Sequence, residues 1–206
     1  LGGYDKATRD PFILVDMING ALGGRATLDG VDGVTNPCQN MSNMPVEIME
    51  ATYPIRIEEY GLRPDSGGAG RQRGGLSVIR TYRLLADEAI MQLRTDRYKT
   101  QPYGLFGGQP GAPSRNLFAA DGEPDSFELL SSKVTREIGR GALLRHEQAG
   151  GGGYGDPMER PVDAILEDLR DGKITEEFAR EHFALVVSAG AVDEVETAAL
   201  RGAGAR

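Results

Sequence analysis

Between residues 11 and 149, short apolar runs alternate with turn residues, which is the pattern of an antiparallel β protein. In the stretch 53–62, Tyr53, Ile55 and Ile57 alternate with Arg56 and Glu58, as in a half-buried strand. The run FILVDM, residues 12–17, predicts a buried strand. Further strands are predicted within residues 75–85, 89–97, 126–138 and 142–149. We therefore expect a mainly β, α+β fold whose core is an antiparallel sandwich or barrel-like sheet.

The pattern becomes helical after residue 156. Apolar side chains recur at helical spacing at Val162, Ile165, Leu166 and Leu169. Gly172 is a helix stop, and Thr175 is the N-cap of a second helix, so the two form a helical hairpin. A shorter helix is predicted at 45–53, where Pro45 suits the first helical position. The expected organisation is a β-rich core at 1–155, a helical segment at 156–187 and a flexible, disordered tail at 188–206.

Composition and charge exclude several classes of protein. The 206 residues carry a net charge of −8, which disfavours nucleic-acid and anionic-membrane surfaces. No apolar run is long enough to span a bilayer, and the single cysteine, Cys38, favours a reducing, cytoplasmic location. The 29 glycines show no triplet period, so a turn-rich β protein is expected. Because the chain starts at Leu1 without an initiator methionine, we interpret it as a piece of a longer protein.

The glycine-rich loop at 62–75, LRPDSGGAGRQRGG, fits none of the common phosphate-binding templates. It has no Gly-Lys pair for a Walker loop, and Arg73 interrupts a GxGxxG pattern. The run GGGGYG at 150–155 does match GxGxxG, but no strand–loop–helix unit surrounds it. Two interpretations of the first loop stay open: a structural corner, or a loop that faces a ligand or another subunit through Asp65, Ser66, Arg71 and Arg73.

The polar stretch PCQNMSNMPVEIME carries the candidate catalytic residues. Asn40 and Asn43 can orient an amide substrate by hydrogen bonding, and Glu47 can act as a general base. The alternative is that the Asn and Ser side chains only satisfy loop backbone. No metal site is predicted, because His146 and His182 lie far apart and lack ligand spacing.

Three stretches together resemble one family. They are NPCQNMSNMPVEIMEATYPIRIEEYGLRPDSGGAGRQRGG, QLRTDRYKTQPYGLFGGQPGAPSRN and RHEQAGGGGYGDPMERPVDAILEDLRDGKITEEFAREHFALVV. In order and spacing they resemble the B subunits of ATP-dependent hydantoinases and 5-oxoprolinases, a family that includes the large subunits of acetone and acetophenone carboxylases. The resemblance covers about residues 1–187 and corresponds to the C-terminal part of a B subunit.

The resemblance implies a chemistry and partners. Such B subunits work with an A subunit of the actin/sugar-kinase type, which is expected to hold ATP and Mg²⁺, and with the N-terminal remainder of the B subunit. ATP activates a cyclic amide, or a ketone together with bicarbonate, and water then opens the activated amide ring. Oxoprolinase relatives read His-Met-Thr-Asn where this chain reads PCQN, so only Asn40 matches, which favours the hydantoinase branch. Ketone carboxylation and a non-catalytic scaffold role stay open as alternatives.

Overall fold

The computed structural model describes residues 1–4, 10–35, 38–39, 41–188 and 191–203. The elements in chain order are β1 (Gly2–Tyr4), β2 (Pro11–Ile13), α1 (Val46–Thr52), β3 (Ile55–Leu62), β4 (Val78–Leu84), β5 (Glu88–Arg94), β6 (Arg115–Ala119), β7 (Glu128–Leu130), β8 (Lys133–Gly139), β9 (Leu143–Glu147), α2 (Val162–Arg170), α3 (Glu176–Phe183), β10 (Val187–Ser188), β11 (Ala191–Val192) and α4 (Glu194–Ala203). No helix in these ranges is long and apolar enough to cross a membrane.

Two antiparallel sheets share one apolar core. One has the strand order β3-β4-β9-β6-β7 and the other the order β2-β1-β5-β8. Strand β5 contributes Met91 to the core and strand β4 contributes Tyr82 and Leu84, while Met49 of helix α1 belongs to the same cluster. Strands β3 and β5 bury alternate residues, whereas β4 and β9 are buried along almost their whole length. The predicted mainly β, α+β class is confirmed.

The predicted strand at residues 12–17 is shorter and less buried than expected. Strand β2 covers only Pro11–Ile13, and the burial alternates along it and beyond. Phe12 and Leu14 are core residues, whereas Ile13 and Val15 are exposed. Four consecutive apolar residues, 12–15, predict burial on both faces, but the described structure covers only one of them.

A bundle of glycine-rich segments lies beside the sheets. We call residues 72–75, 102–105, 109–112 and the central segment 150–155 the glycine bundle. The N–H groups of the central segment point to the three other segments in turn, with a period of three residues. The bonds run from Gly150 and Gly153 to residues 109–112, from Gly151 and Tyr154 to residues 72–75, and from Gly155 to Leu105. Three residues per turn is the geometry of a polyproline II helix, in which N–H groups bond outward to neighbouring chains.

The glycine bundle explains why so many of its positions are glycine. A Cβ atom on Gly150 would lie 1.7 Å from the carbonyl oxygen of Ser66, and one on Gly74 would lie 2.0 Å from that of Gly151. No side chain fits where backbones approach so closely. The GxGxxG match at 150–155 is therefore part of a packed interior.

The C-terminal helices pack on the glycine-rich loop 62–75 through a second apolar cluster. Ile165 of helix α2 and Phe183 of helix α3 meet Ala69 of the glycine-rich loop in this cluster. The hydroxyl of Thr175 accepts a hydrogen bond from the N–H of Phe178, and Gly172 has a φ of +67°, so the predicted cap and helix stop are both present.

The segment predicted as a flexible tail contains ordered elements. Strands β10 and β11 form a short antiparallel pair, and helix α4 extends over Glu194–Ala203. The N–H of Val186 donates to the hydroxyl of Thr197 at 3.0 Å, which ties this helix to the chain that precedes it. The structure differs from the expected disorder in these residues because alanine-rich sequence also has high helix propensity.

Candidate functional site

A row of polar side chains crosses the five-stranded sheet on its core-facing side. Tyr60 of β3, Arg80 of β4, His146 of β9 and Asn116 of β6 are successive cross-strand neighbours. We call these four residues the polar row. Polar groups in a core are costly unless they are hydrogen-bonded, so their partners show what holds the row in place.

Arg80, like Asn116, is completely buried within the polar row. It is 0% exposed, its Nη1 donates to Oδ2 of Asp16 at 2.7 Å, and its guanidinium lies 4.2 Å from the ring centroid of Tyr60. The hydroxyl of Tyr82 donates to the same oxygen of Asp16. Burial and the neighbouring carboxylate raise the pKa of Tyr82, so its phenol stays protonated and donates. Nε and Nη2 of Arg80 make no hydrogen bond within the described part of the chain.

His146, between Arg80 and Asn116 in the polar row, is held neutral. Its Nδ1 lies 2.6 Å from Oδ1 of Asn116, whose amide group also donates to the hydroxyl of Thr95 at 3.0 Å. Burial lowers the pKa of His146 to about 4. Nδ1 therefore carries the proton that the amide oxygen accepts, and the lone pair lies on Nε2.

The structure places one of the three candidate catalytic residues against the polar row. The amide nitrogen of Asn43 donates to the hydroxyl of Tyr60 at 2.7 Å. Glu47 is exposed in the first turn of helix α1, whose Met49 reaches Arg80 with its sulfur 3.6 Å from Nη1. Asn40 lies outside the described residues. The catalytic roles of all three stay predictions.

The loop residues predicted to face a ligand or subunit differ in exposure. Ser66 is buried, and its hydroxyl bonds the backbone of Arg63 and Ser77. Asp65 accepts from both the N–H and the hydroxyl of Thr175, at 2.8 and 2.9 Å, with its φ at +59°. Their role toward a ligand or another protein stays a prediction, but within this chain both join the loop to other segments.

The two arginines of that loop also have different surroundings. Arg71 is partly exposed, with a long ion pair of 3.6 Å to Glu159. Arg73 is 2% exposed and forms ion pairs with Asp32 at 3.2 Å and Asp168 at 3.4 Å. The side chain of Arg73 points into the fold, so Arg71 is the one of the two that can reach a partner at the surface.

Arg73 belongs to a buried ionic cluster that the sequence did not indicate. Arg160 contacts both carboxylate oxygens of Asp29 at 2.8 Å and one oxygen of Asp168 at 2.6 Å. Although burial opposes ionisation, the guanidinium of Arg160 holds the pKa of Asp29 below its usual value. The cluster joins helix α2 to the glycine-rich loop, which gives it a structural role.

Three residues in or beside the polar row were also not predicted from the sequence: Asp16, Arg80 and Asn116. A signal was present for Arg80, because it has the same strand parity as Tyr82 in β4 and should therefore share its buried face. Asp16 lies in the irregular segment after β2 and Asn116 is placed by strand register, and neither arrangement can be derived from one sequence. Within the described residues, no group of three or more His, Cys, Asp or Glu side chains is arranged to hold a metal ion.

The family model described as Hydantoinase B/oxoprolinase matches residues 1–157, and the chain belongs to this family. An uncharacterized protein of Methanocaldococcus jannaschii is 41% identical over 164 residues, which are 78% of this chain and 28% of that protein. The B subunit of a putative D-/L-hydantoinase from Pseudomonas sp. strain NS671 is 33% identical over 184 residues, 89% of this chain and 31% of that protein. The chain thus spans less than a third of the length of these relatives.

Two solved structures have the same fold. An ATP-dependent caprolactamase from Pseudomonas jessenii matches with a TM-score of 0.84 and 24% identity, over 98% of this chain and 36% of its own chain. A nucleotide-free acetone carboxylase matches with a TM-score of 0.78 and 23% identity, over 98% of this chain and 32% of its own chain. Both cover the sheets and the C-terminal helices.

Proposed function

We propose that this chain is part of the B subunit of an ATP-dependent enzyme that hydrolyses a cyclic amide of the hydantoin kind. The observation that carries the proposal is the 33% identity to a putative hydantoinase B subunit across 89% of this chain. The fold match to caprolactamase agrees with it, because hydantoins and caprolactam are both cyclic amides. The names of these relatives indicate that the bond cleaved is a ring amide, and the substrate screen below identifies the ring.

ATP and Mg²⁺ are assigned to a partner subunit of the A type, and no cofactor is assigned to this chain. The glycine-rich segments of this chain do not fit a nucleotide, because their N–H groups already bond to backbone carbonyls. Gly68 donates to Gly151 at 2.8 Å and Gly74 donates to Gly68 at 2.9 Å, where a phosphate cradle would have free N–H groups.

The task left to the B subunit is to open the activated ring. An unstrained amide resists water, and phosphorylation of its oxygen makes the carbon electrophilic. The residues near the ring then need to orient it, position a water molecule and stabilise developing charge. In this proposal Asn43 orients the amide, Glu47 activates the water, and Asn40 lies in the same polar segment.

The polar row gives the segment around Asn43 a fixed support. The hydroxyl of Tyr60 accepts the only hydrogen bond found for the Asn43 amide nitrogen among the described residues, and Oδ1 of Asn43 is left without a partner there. That oxygen is buried within this chain, so it accepts from the N–H of a cyclic amide only if the segment around Asn43 opens toward the ring. Stacking on Arg80 in turn fixes the ring of Tyr60.

The test is a substrate screen with the complete B-type protein copurified with its A-type partner. We expect ATP hydrolysis to rise with hydantoin, 5-oxoproline or caprolactam, together with release of the ring-opened acid. Turnover with acetone or acetophenone that depends on bicarbonate, and none with cyclic amides, would overturn the assignment.

Ketone carboxylation is the second candidate function, since acetone carboxylase shares the fold with a TM-score of 0.78. It predicts a tightly bound metal ion in the complete complex, held by residues outside this chain. Elemental analysis of the complex, read beside the substrate screen, separates the two reactions.

A third possibility is that this region is a scaffold that docks the A subunit while catalysis occurs elsewhere. The contacts of Asp65, Ser66 and Arg73 within this chain agree with a structural role for the loop, and partly exposed Arg71 is the loop arginine that can contact another subunit. Asn43→Ala and Arg71→Ala separate the alternatives, with exposed Ser42→Ala as a matched control. Under the main proposal Asn43→Ala lowers turnover without loss of copurifying A subunit. Under the scaffold alternative, assembly weakens in parallel with turnover or neither changes.

A further inference from the structure

The outer face of the four-stranded sheet is apolar at one end. Ile13 and Val15 are 73% and 75% exposed, although Phe12 and Leu14 beside them point into the core. Tyr4, Met17 and Ile90 extend the same surface, at 66%, 51% and 50% exposure. We call the five exposed residues Tyr4, Ile13, Val15, Met17 and Ile90 the outer patch.

The strand register brings the members of the outer patch together. Gly2 of the middle strand pairs with Ile13 on one side and with Ile90 on the other, so the two isoleucines flank a position without a side chain. Ile90 of β5 pairs in turn with Glu137 of β8, so the same face of the sheet is polar at β8. The apolar surface is therefore confined to the side of the sheet that carries β2.

Strand β2 is also an edge of its sheet among the described residues. The N–H of Leu14 donates to the carbonyl oxygen of Leu1 at 2.8 Å, and the amino group of Leu1 donates to the carbonyl oxygen of Leu14 at 2.9 Å. In an antiparallel ladder alternate residues turn their N–H and C=O groups away from the paired strand, so Ile13 directs its groups to the open edge. The patch thus lies next to backbone groups that are available to another strand.

An apolar face beside an open strand edge is unusual for a protein surface that is exposed to solvent. A strand that is apolar on both sides is typical of a sheet covered on both faces. Edge strands usually carry charge or proline to prevent pairing, and β2 has Pro11 at its start but no charge, so the groups of Ile13 stay available. The five members of the patch instead resemble the apolar interior of a permanent interface. Such a surface indicates that further polypeptide covers it in the complete protein.

We propose that the outer patch is covered by polypeptide of the same subunit from outside these 206 residues, as an extended apolar segment that adds to the open edge of β2. The lengths of the relatives favour this occupant. This chain spans 31% of the putative hydantoinase B subunit and 36% of the caprolactamase chain, so most of each relative's polypeptide lies outside the matched region. The inference rests on family membership and is independent of which reaction the enzyme catalyses.

The test uses a photo-crosslinking residue in the complete B-type protein, copurified with its partner. Benzoylphenylalanine replaces Val15 in one variant and Ile90 in a second, so that poor folding of one variant leaves the other informative. After irradiation, peptide mass spectrometry identifies the crosslinked segment. We expect each crosslink to join the patch to a segment of the same polypeptide that lies outside the 206 residues. Because such a crosslink is intramolecular, the mass of the polypeptide should not change.

The control places the same group at Val195 of helix α4, which is 83% exposed and lies outside the outer patch. It should not crosslink to the segment that Val15 and Ile90 share. The proposal is overturned if both patch positions crosslink to a second copy of this chain, to the A-type partner, or to nothing. The first two of these results would assign the patch to an interface between polypeptides, and the third would leave it facing solvent.

Discussion

Replacing Gly150 with alanine tests the packing of the glycine bundle. The new methyl carbon would lie 1.7 Å from the carbonyl oxygen of Ser66, whereas ordinary contacts begin near 3.4 Å. The two segments must therefore separate by more than an ångström. That movement disturbs the bonds from Gly150 to Ala112 at 3.1 Å and from Ala112 to Ser66 at 2.8 Å.

The magnitude follows from those contacts. Overpacking a core costs about 1–3 kcal/mol, and each buried backbone group left without its partner adds about 1–3 kcal/mol. We expect Gly150→Ala to lower the free energy of unfolding by about 3 kcal/mol or more, measured by chemical denaturation. A shift of this size is a large fraction of the total stability of a domain.

Two matched glycine-to-alanine variants serve as controls for the same chemical change. Gly61 lies in strand β3 with nothing within 4 Å of the position that a methyl carbon would take, so alanine should stabilise the protein by about 0.5–1 kcal/mol. Gly172 also has open space but a φ of +67°, so alanine should cost about 1–2 kcal/mol through backbone strain alone. If Gly150→Ala unfolds at the same denaturant concentration as Gly61→Ala, the close packing of Gly150 on Ser66 is incorrect.

Three further variants test the ionic cluster, the polar row and the helix cap. Arg160→Met removes the guanidinium that joins buried Asp168 to half-buried Asp29, although both carboxylates keep a contact with Arg73, and should cost up to about 3 kcal/mol in denaturation experiments, while exposed Arg170→Met should cost little. Burial lowers the pKa of His146 to about 4, so the unfolded chain binds the extra proton first and stability should fall as the pH drops from about 6.5 to 4. His146→Gln should reduce that slope, and an unchanged slope would contradict the burial of this imidazole. Thr175→Ala should cost about 1–2 kcal/mol through the lost cap, and Thr175→Ser should restore most of it; equal stability of the two would show that the hydroxyl is not needed.

Local signals in the sequence were sufficient for helices α1, α2 and α3 and for most strands, but not for helix α4. Helices α2 and α3 follow from an apolar period, a glycine stop and a threonine cap, all within a few residues of one another. The prediction for residues 12–17 was wrong because four consecutive apolar residues, 12–15, predict burial on both faces, and the described residues supply a cover for only one.

Features that depend on contacts between distant segments of the chain could not be predicted from local sequence patterns. The glycine bundle has a three-residue period in its hydrogen bonds, but glycine carries no side chain that would show this period as a hydrophobic pattern. The polar row needs the register of four strands, so Arg80 and Asn116 could not be placed together in advance. Of the candidate catalytic segment, the structure shows that Asn43 meets this row, while its role in a reaction stays a prediction.

The glycine bundle also has a consequence for the order in which the chain folds. Its central segment at 150–155 bonds to segments that begin at residues 72, 102 and 109, so each contact closes a long loop of chain. Loop closure costs entropy before the bonds repay it, and non-local contacts of this kind slow folding. We expect the bundle to form late, after the β4–β9 and β5–β8 pairs have brought its segments close, and to act as the step that commits the chain to its native structure.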